Sequence, residues 1–413
     1  MDAFRQTMRF SPTPSELWLA ANGEGPRYLC LQCGGLGLTA LCARDGRRAW
    51  PMGPSAVSPP TVGKTLGDQW VCAKAEPVAP LTWSLELAAL KSPRDRRQAV
   101  EQATALQRPA ERGIAKARLQ GLLAAAPCLA ELAPAYCRWA ALHEQLRRAC
   151  LPGVAPAIEP LADSGGWLTA CDLGLGRPLS ELMRPHGEVR GVGQRQTARV
   201  LAEVAEILLR LEALGLAHGQ VSLSTVTVQP GPAGHQSYQL IPPPLPPVPT
   251  ERILEYCTPW QLVCLAPEQL QGGLPTPESE VFALGAMAFV LATGRPPFGD
   301  WDQPRTMASG ARSGRSPMVR LWLPESTQEF VEPLTRALAL DPARRPTLAE
   351  FAAQMALAER SSRRAFAQTN SPANKPEQPG LSHDTHMDLA HAIVQRTPAP
   401  TVPRRTESAD SSL

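Results

Sequence analysis

Over the first eighty residues apolar positions come in short runs broken by glycine and proline: Leu17–Ala20, Tyr28–Leu31, Leu38–Cys42 and Trp70–Ala73. Runs of this length between turn residues predict short strands. Ser92-Pro93 then offers an N-cap and a first-turn proline for a helix to Leu106, Pro109 ends it, and a second helix is predicted over Ile114–Ala125. Tyr136–Ala149 places Trp139, Leu142, Leu146 and Ala149 on one helical face, and Ile158–Leu161 and Trp167–Cys171 read as strands around the turn Asp163–Gly166. The clearest helical period is Gln194–Leu214, where Val200, Val204, Ile207, Leu208, Leu211 and Leu214 recur and Gly215 closes the end. Strands are predicted at Val226–Val228 and Tyr238–Ile241, and helices at Val281–Thr293, Gln328–Leu340 and Thr347–Ala358. Beyond Arg360 the chain is rich in Ser, Pro and Arg and is expected to be disordered, with a short helix at Met387–Gln395.

Composition narrows the function classes. The 413 residues suffice for two or three packed units. The net charge is +3, with 41 Lys+Arg spread among 38 Asp+Glu, so no nucleic-acid footprint is read. The N-terminus lacks the apolar core of a signal peptide, and the longest apolar run, Val281–Ala292, is too short for a bilayer, so a cytoplasmic protein without membrane contact is expected. The ten cysteines are scattered, several of them (Cys150, Cys171, Cys264) in apolar runs, which favours free buried thiols over disulfides. Cys30-Leu31-Gln32-Cys33 has zinc-ligand spacing, but a structural site wants a second close pair. With Cys42 and Cys72 read as isolated, two small apolar thiols on a strand are preferred and no metal is expected.

The stretch His218–Val228, HGQVSLSTVTV, follows the long helix Gln194–Leu214 and resembles the catalytic loop H-R-D-L-K-P-x-N of Ser/Thr protein kinases. Other segments resemble the same superfamily in the same order. Leu151-Pro152-Gly153-Val154 is similar to the exit of its αC helix, and Leu265-Ala266-Pro267-Glu268-Gln269 to its APE motif. Glu280–Gly285 with Ala292–Phe298 is similar to DVxxLG…LTGRPPF, and Asp341–Thr347 to DPxxRPT. The resemblance implies an α+β bilobal fold: a small β-containing N-lobe, here with helical insertions, and a mainly helical C-lobe. The segmentation is 1–80 as a β-rich segment (the start of a degenerate N-lobe or a separate module), 81–173 as helical insertion, αC-like helix and last N-lobe strands, 174–358 as C-lobe and 359–413 as tail. It also implies that Glu268 and Arg345 form a buried ion pair, and that Glu280, at the place of a family Asp, holds the loop backbone beside His218.

The departures from the family fall on charged positions. Gln220 stands where the base Asp is expected, Ser222 at the Lys, Thr225 at the metal-binding Asn and Pro242 at the Asp of D-F-G, followed by Pro243 and Pro244. Leu142 occupies the place of the αC Glu, with Glu144 two positions off and on another face. Phosphoryl transfer rests on positioning and charge neutralisation by metal-bound acids, so no catalytic set is intact and Mg²⁺ is not expected. In the N-lobe, Gly34, Gly35 and Gly37 resemble the glycine-rich phosphate loop, and Lys74 in Trp70–Lys74 resembles the lysine of the third strand, with Lys91 as a rival. ATP binding through them stays open beside a plain turn and a solvated lysine.

The run Pro242–Pro249 has P-x-x-P spacings that aromatic grooves bind, although a stiff connector is the preferred reading. Ser371-Pro372 and Thr397-Pro398 are phosphorylation-type pairs in the tail. The reading from sequence is an inactive kinase-like (pseudokinase) protein that binds protein partners in signalling. The alternatives are an atypical Ser/Thr kinase or ATP binder, and a proline-rich docking protein.

Overall fold

The structure is a computed structural model. It describes residues 28–30, 33–39, 41–47, 49–51, 65–66, 70–79, 82–89, 117–122, 133–163, 166–173, 176–183, 191–231, 235–245, 250–313 and 317–369. The strands are β1 (Tyr28–Leu29), β2 (Leu36–Gly37), β3 (Trp50–Pro51), β4 (Thr65–Leu66), β5 (Trp70–Ala79), β6 (Thr82–Ala89), β7 (Ala117–Leu122), β8 (Ala157–Asp163), β9 (Gly166–Asp172), β10 (Arg177–Pro178), β11 (Val226–Pro230) and β12 (Gln236–Leu240). The longer helices are α1 (Ala133–Ala149), α2 (Gln194–Glu212), α3 (Pro277–Thr293), α4 (Pro304–Arg312), α5 (Gln328–Ala337) and α6 (Leu348–Thr369).

The fold is the α+β, two-lobed kinase-like architecture that the motifs imply. A six-stranded antiparallel sheet, ordered β4-β5-β6-β7-β9-β8, forms the small lobe with α1 against its β8 edge. Strands β2-β1-β3 make a separate small sheet, and β10-β11-β12 line the base of the cleft. The helices make the large lobe around α3. Its start is set by a reciprocal capping box between Thr276 and Ser279 with Pro277 in the first turn, and its end by left-handed Gly294. Every residue from Ser279 to Leu291 is buried, because α2, α5 and α6 all pack on this helix. Gly285 allows the closest approach: a Cβ there would lie 2.8 Å from the Cβ of Ala337. Fully burying a side chain such as Phe282, Leu284 or Phe289 contributes about 1.5–3 kcal/mol, so this pillar carries much of the stability of the lobe.

Several expectations are corrected. Within the span Ile114–Ala125, where a helix is predicted, the described residues Ala117–Leu122 form strand β7, which pairs with β6 and β9. Its short amphipathic pattern fits either period, and the open sheet edge decides. The boundary at 80/81 falls inside the β5–β6 hairpin, where Ala79 pairs with Thr82, so 70–89 belongs to the six-stranded sheet. The predicted helix over 92–106 lies outside the described residues, as does the tail from 370. Helix α6 runs to Thr369, past the boundary set at 358. On α1 the buried face is Ala133, Tyr136, Trp139, His143 and Leu146, while Ala149 is exposed. No helix of the described residues is long and apolar enough to cross a membrane.

Candidate functional site

The cleft floor is built where the loop His218–Thr225 meets Ile241–Leu245. The loop's entry depends on glycine. Gly219 has φ +78°, and a Cβ there would meet Pro275 at 2.4 Å. Its N–H donates to Glu280 Oε1 at 2.6 Å and its carbonyl accepts from Gln269 Nε2 at 2.8 Å. Glu280 therefore holds the loop backbone as the family resemblance implies, and the extra methylene is accommodated. Its Oε2 is buried without a hydrogen-bond partner, and burial pushes the carboxyl up to about 7 against the pull of the backbone N–H groups.

His218 is buried, and its Nε2–H donates to the Ile241 carbonyl at 2.7 Å while Nδ1 accepts from the Gln220 N–H at 3.2 Å. Both ring nitrogens are thereby engaged by a neutral imidazole, and burial lowers its pKa to about 4. Gln220, at the base position, uses its whole amide to hold the backbone of Leu245: Nε2 donates to the carbonyl at 2.6 Å and Oε1 accepts from the N–H at 2.9 Å. Thr225, at the metal-ligand position, is fully buried. Its hydroxyl accepts from the Ser222 N–H at 2.8 Å and lies within hydrogen-bond distance of the Gln220 and Ser222 carbonyls. Ser222 Oγ pairs with Ser224 Oγ at 2.9 Å. The polar groups that replace the charged ones close the loop on itself.

Pro242, Pro243 and Pro244 are buried; Pro246–Pro249 lie outside the described residues. The Pro243 carbonyl accepts two donors from α1, Trp139 Nε1 at 3.1 Å and His143 Nε2 at 2.9 Å. The two rings sit 4.7 Å apart. Burial lowers the His143 pKa to about 4. Leu142 packs half-buried against the core, and Glu144 turns outward to Arg147 and Arg148. The α1 helix is thus tied to the cleft floor through a carbonyl. A histidine one turn after a tryptophan within an apolar stripe was the available signal for this link, and the sequence reading passed over it.

Below the floor, Glu268 and Arg345 form a bidentate ion pair at 2.7 and 2.9 Å. Arg345 also donates to the carbonyls of Ala339, Glu278 and Leu340 and stacks over Phe282. This saturation is what a buried guanidinium requires.

The proposed nucleotide residues fall on two different sheets. Lys74 lies on β5, the first of the three consecutive strands β5-β6-β7, whereas the lysine was expected on the third. That third strand reads Ala-Arg-Leu-Gln-Gly-Leu and carries no lysine. Gly34, Gly35 and Gly37 belong to the separate small-sheet segment, where Gly34 has φ +69° and a Cβ on Gly35 would sit 3.2 Å from Cys33 Sγ. Those two glycines serve the turn around the cysteines. Cys42 is not isolated: its Sγ is 3.5 Å from that of Cys33.

Comparison with known proteins finds a partial sequence likeness to a protein kinase. Over 86 residues the chain is 37% identical to the Serine/threonine-protein kinase PrkC of Bacillus subtilis (strain 168), a match that spans 21% of this chain and 13% of that protein. The solved structure of Rad53 1-466 in complex with AMP-PNP aligns with a TM-score of 0.46 and 13% identity, covering 68% of this chain and 62% of that one. No family model matches the chain.

Proposed function

We propose that this protein is a pseudokinase: a kinase-like fold that does not transfer phosphate and acts by binding protein partners in signalling, in the cytoplasm. The observation that carries the proposal is the use made of Gln220. A general base needs a lone pair directed at the substrate proton. Gln220 has both amide ends committed to Leu245, and the carbonyls and hydroxyls around Thr225 bond to one another. Pro242 offers no ligand where a metal-binding Asp is expected. The residues that keep the family's type, Glu268, Arg345 and His218, together with Glu280 in place of an Asp, are those that hold the fold. Among the described residues, the one group of three or more His, Cys, Asp or Glu side chains able to hold a metal lies elsewhere.

The test is phosphate transfer from labelled ATP by the purified chain with Mg²⁺. The expected result is no transfer above the level of the Gln220→Ala variant. Mg²⁺-dependent transfer by the wild type that Gln220→Ala abolishes would overturn the proposal. Thermal shift with ATP addresses nucleotide binding separately, because a ligand at 100 times its Kd adds about 2.7 kcal/mol of stability. A shift without Mg²⁺ would mark a pseudokinase that binds nucleotide, and no shift leaves the scaffold reading alone.

A further inference from the structure

We propose that Cys30, Cys33, Cys42 and Asp45 form a structural zinc site. Their ligand atoms all lie within 4.8 Å of one another. Cys30 Sγ is 3.2 Å from Asp45 Oδ2, and Cys33 Sγ is 3.5 Å from Cys42 Sγ. Zn–S bonds of about 2.3 Å in a tetrahedron place sulfurs about 3.8 Å apart, so small adjustments seat an ion at the centre. The spacing is C-x2-C followed by C-x2-D, and the second close pair missing from a cysteine count is completed by a carboxylate.

The surrounding backbone is built as two copies of one turn. In the first, the Gly34 N–H donates to the Cys30 carbonyl at 2.8 Å and the Cys30 N–H to the Gly35 carbonyl at 2.8 Å. In the second, the Gly46 N–H donates to the Cys42 carbonyl at 2.9 Å and the Cys42 N–H to the Arg47 carbonyl at 2.7 Å. Gly34 and Gly46 share the same left-handed φ, +69° and +70°. Each partner in the second turn lies twelve positions after its counterpart, so Asp45 takes the place that Cys33 has in the first. The Arg44 N–H points at Cys42 Sγ at 3.4 Å, and Asp45 Oδ1 accepts from the Arg47 N–H at 3.0 Å. Backbone donors to the ligand atoms are the outer-shell contacts that orient a metal set. A chance meeting of thiols does not require two matched turns facing each other.

The local energetics give such an ion a purpose. The small sheet has three two-residue strands, and between its paired turns Leu38 and Leu41 are exposed; among the residues whose burial is described, Leu29, Cys30 and Ala49 are its buried apolar side chains. Small modules built from such short strands are commonly held by metals or disulfides. Three thiolates, one buried and two half-buried, with an exposed carboxylate suit Zn²⁺, whose capture releases the thiol protons. The site borders the small lobe. Strand β3 packs on β9, so the segment that carries the site borders the six-stranded sheet.

The experiment is metal analysis of the full chain purified under reducing conditions, followed by replacement with Co²⁺. The expected result is about one zinc per chain and a thiolate-to-cobalt charge-transfer band in the wild type. Cys33→Ser with Cys42→Ser should lose both signals, Asp45→Cys should keep the stoichiometry and intensify the band, and Cys150→Ser, at an exposed cysteine away from the site, should change neither. The wild-type cobalt spectrum is decisive even where the double variant does not fold. Absence of stoichiometric zinc and of the band in folded reduced wild type would overturn the proposal, as would zinc retained by the folded double variant. A Cys33–Cys42 disulfide found by peptide mapping in the protein as isolated would overturn it as well.

Discussion

Replacing His143 with glutamine should remove about half of the acid sensitivity that the buried histidines give the protein. Three buried groups have strongly shifted titrations: His143 and His218, both lowered to about 4, and Glu280, raised to about 7. A histidine that stays neutral in the fold binds its proton in the unfolded chain first, so its stabilisation is present above about 6.5 and is lost as pH falls toward 4. The raised glutamate has the opposite sign: its contribution is present below about 4.5 and is lost as pH rises through 7. Between pH 7 and 5 each histidine costs about 2 kcal/mol and Glu280, half protonated in the fold at pH 7, returns about 2 kcal/mol, a net loss of about 2 kcal/mol. In His143→Gln the amide can still donate to Pro243, one histidine remains against one glutamate, and the two nearly cancel. Surface carboxylates contribute equally to both proteins and cancel in the difference. Urea unfolding at pH 7, 6 and 5 measures it. The reasoning is refuted if wild type and His143→Gln show the same change in unfolding free energy between pH 7 and 5.

Three further outcomes are expected. Glu268→Gln leaves the Arg345 guanidinium buried without its counter-charge and should cost about 3–5 kcal/mol in denaturant unfolding, with Arg345→Leu in the same background recovering part of it. Gln220→Ala unpairs the Leu245 N–H and carbonyl, should cost about 1–3 kcal/mol, and should speed limited proteolysis between Leu245 and Thr250. Alkylation at pH 8 should label Cys150 first and leave Cys257 and Cys264 unlabelled in the folded protein, since burial pushes Cys257 up to about 12 and Cys264 higher still; mass spectrometry of the peptides reads the order.

The large lobe was legible because its signals are local and redundant. Helix α2 announces itself by period and closing glycine, α3 by its Thr276-Pro277 start and Gly294 end, and the Glu268–Arg345 pair by two separate motifs. The small lobe was not. Ala117–Leu122 has no residue that fixes a strand, and its identity comes from the edges of β6 and β9 that it fills. In the cleft, the absence of charge at Gln220 and Pro242 could be read directly, but not what those residues do instead, because the partners of Gln220 and Pro243 lie 25 and 100 or more positions away. The cysteine cluster was missed because the fourth ligand is a carboxylate, and a search restricted to Cys and His counts Cys42 as isolated.

The double use of the Pro243 carbonyl also bears on the rate at which a partner finds this molecule. One acceptor with two indole and imidazole donors fixes the helix and the floor in a single mutual arrangement. The protein partner proposed above, docking over this link, would meet a surface ready formed, and association would proceed at the ordinary docking-limited rate of about 10⁵–10⁷ M⁻¹s⁻¹.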